Sequence, residues 1–208
     1  MSCRSSHLWR VTSSLFVAAL LATAGCASPQ LKLNWAGNEA LAEHDYRLAA
    51  ERYQQSLAEA EKVGDEQLAA SALYGLGRAN GYMCNFPEAE KFFAESIDRR
   101  EHLPDTEDAY LTQNLCEFGR LYLAEGKWED AAAQFKRAVP RLEALGTGSR
   151  DPIGYAEALE DYEKALRNAG RPDEAAKVSQ RSADLRRENP SRTADYKFRP
   201  YPSHCDSE

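Results

Sequence analysis

Four segments of this 208-residue sequence repeat one another, and a repeat of this length constrains the fold more than any other feature. The first runs Leu33-Asn34-Trp35-Ala36-Gly37, Asp45-Tyr46-Arg47-Leu48-Ala49, Tyr53 and Ser56-Leu57. The second runs Leu73-Tyr74-Gly75-Leu76-Gly77, Asn85-Phe86-Pro87-Glu88-Ala89, Phe93 and Ser96-Ile97. The third runs Leu115-Cys116-Glu117-Phe118-Gly119, Lys127-Trp128-Glu129-Asp130-Ala131, Phe135 and Ala138-Val139. The fourth runs Leu159-Glu160-Asp161-Tyr162-Glu163, Arg171-Pro172-Asp173-Glu174-Ala175, Ser179 and Ser182-Ala183. Gly37, Gly77 and Gly119 each stand twelve residues before the shared alanine, and Tyr53, Phe93 and Phe135 each stand four after it.

The residue types have a physical reading. Each unit reads as two amphipathic helices joined by a tight turn. The glycines and alanines allow close approach within a hairpin, and the large residues fill the space towards the next unit. One hairpin cannot bury that face alone, so the units must stack. Gly64, Gly126, Gly146 and Gly170 fall just past helical runs, where a left-handed glycine ends a helix. Asp151-Pro152 suits an N-cap followed by proline at the first helical position. Pro140 lies inside the expected second helix of unit three and is expected to kink it or to remove one hydrogen bond.

The pattern resembles the tetratricopeptide repeat, in the longer kinesin-light-chain-type variant. The resemblance covers about residues 31–188 and implies an all-α, right-handed superhelical solenoid of about four hairpins: 31–64, 65–104, 106–146 and 151–188. Glu163 and Ser179 depart from glycine and aromatic in the fourth unit, as a polar capping repeat requires. Residues 189–208, with Pro190, Pro200 and Pro202 and few apolar side chains, are expected to form an irregular C-terminal tail.

Residues 1–25 read as an address. Arg4 and Arg10 precede the apolar run Leu15-Phe16-Val17-Ala18-Ala19-Leu20-Leu21-Ala22, which is short for a membrane span. Thr23-Ala24-Gly25-Cys26 resembles a bacterial lipobox, with Thr23 where leucine is commoner. The resemblance implies lipidation at Cys26, with palmitate among the acyl chains, and residues 26–30 as a lipid-anchored tether. More than one acyl chain on a residue gives stable anchoring. Ala27, not aspartate, follows Cys26, which by the same resemblance favours the outer membrane, with the folded part facing the periplasm.

The formal charge is −7, and Arg4 and Arg10 are the only charges before Cys26, so the remainder carries −9. That acidity argues against nucleic acid and against adhesion to anionic lipid through a basic patch.

Candidate chemistry is sparse. His7, His44, His102 and His204 lack metal-ligand spacing, and no serine or cysteine motif gives them a nucleophile to activate, so no catalytic residue, cofactor or metal is expected. Gly75-Leu76-Gly77-Arg78-Ala79-Asn80-Gly81 lacks the spacing and the preceding strand of a nucleotide loop, and its glycines sit at repeat positions. Cys84 falls in a hairpin turn and Cys116 one unit later, which argues against a direct disulfide. Cys205 in the tail can pair with either or with another chain.

The family resemblance implies that the first helices of the units line a concave groove. The positions carried over are Asn34 and Asn38; Tyr74, Arg78 and Tyr82; Gln113, Cys116 and Arg120; and Glu160, Lys164 and Arg167. Arg78, Arg120 and Lys164 share one repeat position and form a basic row suited to an extended acidic peptide or a carboxylate. The expected function is a membrane-anchored scaffold or assembly factor binding other envelope proteins or extended peptides. The alternative is a substrate-binding or regulatory module for a cell-wall enzyme.

Overall fold

Helix boundaries fall where backbone chemistry puts them. The computed structural model describes residues 27–104, 108–195, 198–203 and 205. The leader and Cys26 lie outside the described residues. Among those described, α1 spans Pro29–Ala42, α2 Tyr46–Val63, α3 Glu66–Tyr82, α4 Phe86–Glu101 and α5 Asp108–Glu125. They are followed by α6 Trp128–Ala144, α7 Thr147–Arg150, α8 Pro152–Asn168 and α9 Pro172–Glu188. Asp45, Asp65 and Asp151 accept from the backbone N–H groups of Leu48, Leu68 and Gly154 at 3.0, 3.1 and 2.9 Å. Each satisfies a donor that the first turn leaves without a helical partner.

The fold is the all-α solenoid that the repeat demands. α1 pairs with α2, α3 with α4, α5 with α6 and α8 with α9, while α2 packs on α3, α4 on α5 and α6 on α8. The short turn α7 is an insertion before the fourth hairpin. Pro140 does not end α6, which continues to Ala144. The proline occupies an exposed position, so its ring lies on the solvent side of α6.

The repeat positions explain the packing. Tyr53, Phe93 and Phe135 are 1, 0 and 0 % exposed. Burying a large apolar side chain stabilises by about 1.5–3 kcal/mol. A Cβ on Gly37 would lie 2.6 Å from Tyr53, one on Gly77 2.9 Å from Phe93 and one on Gly119 2.8 Å from Phe135. Each aromatic ring therefore lies flat against its own unit's glycine. In unit four both partners change together: Glu163 replaces the glycine and Ser179 the ring. Gly75 packs on Tyr53 from the following unit, so the suspected nucleotide loop is the interior of α3. Ser56 and Ser96 tie the second helix of a hairpin to the first, donating to the carbonyls of Gln30 at 2.8 Å and Ala70 at 2.6 Å.

The turns share one conformation. His44, Cys84, Gly126 and Gly170 occupy the same repeat position, with φ of 68°, 64°, 74° and 72°. Units three and four use glycine there, whereas units one and two place a side chain at a position that costs L-residues about 1–2 kcal/mol.

The tail differs from expectation. It is irregular, as its prolines require, but it is packed against the array. Tyr201 is 5 % exposed and joins the main core.

Candidate functional site

The concave side is built from α3, α5 and α8, and the tail lies in it. Gly81 is the first element of the site. A Cβ there would lie 2.7 Å from the Tyr201 ring, so the missing side chain is the space into which that ring fits. Tyr82 then stacks between two rings, with centroids 4.9 Å from Tyr46 and 4.7 Å from Tyr201. Such offset aromatic pairs contribute about 0.5–1.5 kcal/mol each beyond burial.

One helical turn and one unit along, Glu117 is 1 % exposed and accepts from the Tyr201 hydroxyl at 2.7 Å. Burial, and then the neighbouring Glu117 charge, push the Tyr201 pKa well above its ordinary value. Arg120 is 8 % exposed and is paired with Asp161 of α8 at 2.6 Å. Its guanidinium lies 3.4 Å from the centre of the Phe198 ring, a cation–π contact. The backbone is held as well: the Tyr82 hydroxyl donates to the Arg199 carbonyl at 3.1 Å, and the Arg199 side chain donates to the Tyr46 hydroxyl at 3.0 Å. Cys205 closes the arrangement through a disulfide to Cys84 in the α3–α4 turn, with Cα atoms 5.7 Å apart.

The tail does not fill the groove. A cavity of about 400 Å³ remains beside it, walled by Glu157, Asp161 and Lys164 of α8, by Arg120, and by Phe198 and Tyr201. Burial holds the Glu157 carboxyl above the usual carboxylate range.

The residues expected in the groove divide. Tyr82 and Arg120 touch the tail. Tyr74 and Arg78 lie beside Tyr201, with the Arg78 guanidinium 5.6 Å from the Tyr74 ring centre. Lys164 is exposed on the cavity wall. Asn38 instead accepts from the Tyr53 hydroxyl at 2.8 Å and serves hairpin packing. Arg167 pairs with Glu163 on the same helix, and Gln113 is half-buried away from the cavity lining. Cys116 is buried, and desolvation pushes its thiol up to about 12, so it is no nucleophile.

The expected basic row is modified in one respect. Asp161 neutralises the Arg120 charge, so the centre of the groove presents a guanidinium face to an aromatic ring and not a free cation to an acid. Among the described residues, no group of three or more His, Cys, Asp or Glu is placed to hold a metal.

Glu117, Tyr46, Phe198 and Tyr201 were not legible as site residues from the repeat. Two signals did exist. Glu117 is the lone acid within Leu115-Cys116-Glu117-Phe118, and Tyr201 stands between two prolines.

The comparisons agree with this architecture. The family model described as Tetratricopeptide repeat matches residues 29–102 and 69–144, together more than half of the chain. A search of curated proteins finds no match. Among solved structures, BtubC (BKLC) from P. vanneervenii superposes with a TM-score of 0.70 at 17% identity, covering 86% of this chain and 71% of that one. A kinesin-light-chain-type chain of nearly identical TPR-like repeats, from Podosopora anserina, gives 0.62 at 16% identity, covering 85% and 83%. At such identities the likeness is one of fold. With the family match and the stacked hairpins in agreement, the chain belongs to the tetratricopeptide repeat family.

Proposed function

We propose that the protein is a non-catalytic interaction scaffold of the bacterial envelope, anchored by lipid on Cys26 and offering its concave groove to extended segments of other envelope proteins. Tetratricopeptide folds bind peptides or proteins, and the carrying observation is that this groove already receives an extended stretch of polypeptide through Tyr82, Glu117 and Arg120. The leader pattern ending in Thr23-Ala24-Gly25-Cys26 supports the anchor. With α1 starting at Pro29, only Ala27 and Ser28 separate the anchor from the array, a reach of roughly 10 Å that keeps the scaffold at the membrane. The Cys84–Cys205 disulfide supports an oxidising compartment. Ala27 after Cys26 supports the outer membrane, with the array facing the periplasm.

Two experiments test the reading. Metabolic palmitate labelling should mark the wild type and not Cys26→Ser; equal labelling of both removes the anchor. A photo-crosslinker at Lys164, exposed in the groove wall, should give discrete adducts with envelope proteins in intact cells. The same crosslinker at Lys91, exposed on α4, is the control. Identical adducts from both positions, or none from Lys164, remove the groove from the function.

A further inference from the structure

The tail is held in the manner of a ligand. It is extended, its backbone carbonyl is recognised, and one side chain of it, Tyr201, enters a fitted space over Gly81 and reaches Glu117. Phe198 supplies a second ring to Arg120. The cavity left along α8 shows that this segment does not match the whole groove. Six residues with these few contacts bind weakly alone; attachment at both ends supplies the effective concentration that keeps them in place. One attachment is the chain itself, from α9. The other is Cys205 to Cys84, and Cys84 sits at a left-handed turn position where later repeats carry glycine.

We propose that the groove is a site for an extended protein segment carrying an aromatic–basic–Pro–Tyr core, that Phe198–Tyr201 is its resident mimic, and that reduction of Cys84–Cys205 admits a partner protein's segment of that chemistry in its place. The proposal rests on the groove being the binding face. The reductant is a dithiol. Its thiolate attacks one sulfur of the pair and forms a mixed disulfide, and its second thiol displaces the protein sulfur. Two electrons and two protons pass to Cys84 and Cys205, and the dithiol leaves as a disulfide. The freed tail stays tethered through α9, so reduction lowers its effective concentration without removing it.

The test uses the full chain in detergent and a fluorescent peptide of residues 195–203 as probe. Three proteins are compared: the oxidised wild type, the same protein after dithiothreitol, and the double variant Tyr201→Ala/Cys205→Ser, whose tail lacks both the disulfide and the ring that enters the groove. Circular dichroism checks that each stays helical. The double variant should bind the peptide, the reduced wild type about tenfold or more weakly than that, and the oxidised wild type more weakly still. A probe with Tyr201→Phe should lose about tenfold or more on the double variant, because the bond to the Glu117 carboxylate is gone. A helical double variant that ignores the peptide overturns the proposal, as does equal binding by oxidised and reduced protein. A concentration-dependent dimer on reduction that excludes the peptide also overturns it, in favour of tail exchange between copies. Crosslinking at Lys164 repeated in the Tyr201→Ala/Cys205→Ser background reads the groove without the docked tail, so loss of this proposal and loss of the scaffold reading are separate results.

Discussion

At the residue scale, the paired positions of the repeat set the tolerance to substitution. Gly77 faces a Phe93 ring that is wholly buried and has nowhere to move. Gly77→Ala gains up to about 1 kcal/mol of helix propensity but overpacks the hairpin by about 1–3 kcal/mol. A net loss of roughly 1–2 kcal/mol is expected, read as a lower urea midpoint. Glu163 occupies the same position opposite Ser179, with no ring to meet. Glu163→Ala gives up an ion pair to the exposed Arg167 and the packing of a side chain that is 19 % exposed, and should change stability by less than about 1 kcal/mol. Equal effects at the two positions would contradict the glycine–ring pairing. His44 offers the opposite case: it is exposed, and its φ of 68° suits glycine. His44→Gly removes strain at an ordinary helix stop and should stabilise by about 0.5–1 kcal/mol, measurable as a raised Tm.

At the element scale, α6 runs through a residue that a helix interior ordinarily rejects. Pro140 has no N–H to offer the carbonyl four residues back, and its exposure means that the ring contributes little packing in return. Pro140→Ala restores the bond and should stabilise by about 1–3 kcal/mol in chemical denaturation. An unchanged or lowered stability would show that the proline ring is needed where α6 meets the fourth hairpin. The hairpins themselves were legible because their signals are local. Helical spacing, a cap such as Asp45 and a stop such as Gly126 all act within a few residues. Continuation through Pro140, with a kink or at the cost of one hydrogen bond, was expected from the sequence, and burial of the opposite face at Ala132, Phe135 and Ala138 outweighs that missing bond.

At the scale of the whole molecule, the docked tail couples groove, disulfide and pH. The Tyr201 hydroxyl is held protonated, first by burial and then by the charge of Glu117, so its pKa in the docked state lies well above the ordinary value of 10.0. Docking is therefore fully favoured below about pH 10. Above it, an undocked tail ionises first, and docking weakens as pH rises towards the raised value. A difference titration of tyrosinate absorbance between the wild type and Tyr201→Phe should show a tyrosine ionising well above pH 10. A midpoint at or below 10 would place the hydroxyl away from Glu117.

The sequence by itself determined the all-helical repeat, its four hairpins and its acidic balance, whereas the packing of each ring on its own unit's glycine came from the tertiary structure. The repeat and its hairpins follow from periodicity and spacing, which recur at every unit and act over short stretches of chain. Only the tertiary structure decided that the groove is occupied, that Arg120 is neutralised by Asp161, and that Cys205 pairs with Cys84. The two cysteines stand 121 residues apart, and the tail has no repeat of its own. Its partners are set by the curvature of the stack, which brings α3, α5 and α8 around one space, and no local pattern encodes that convergence.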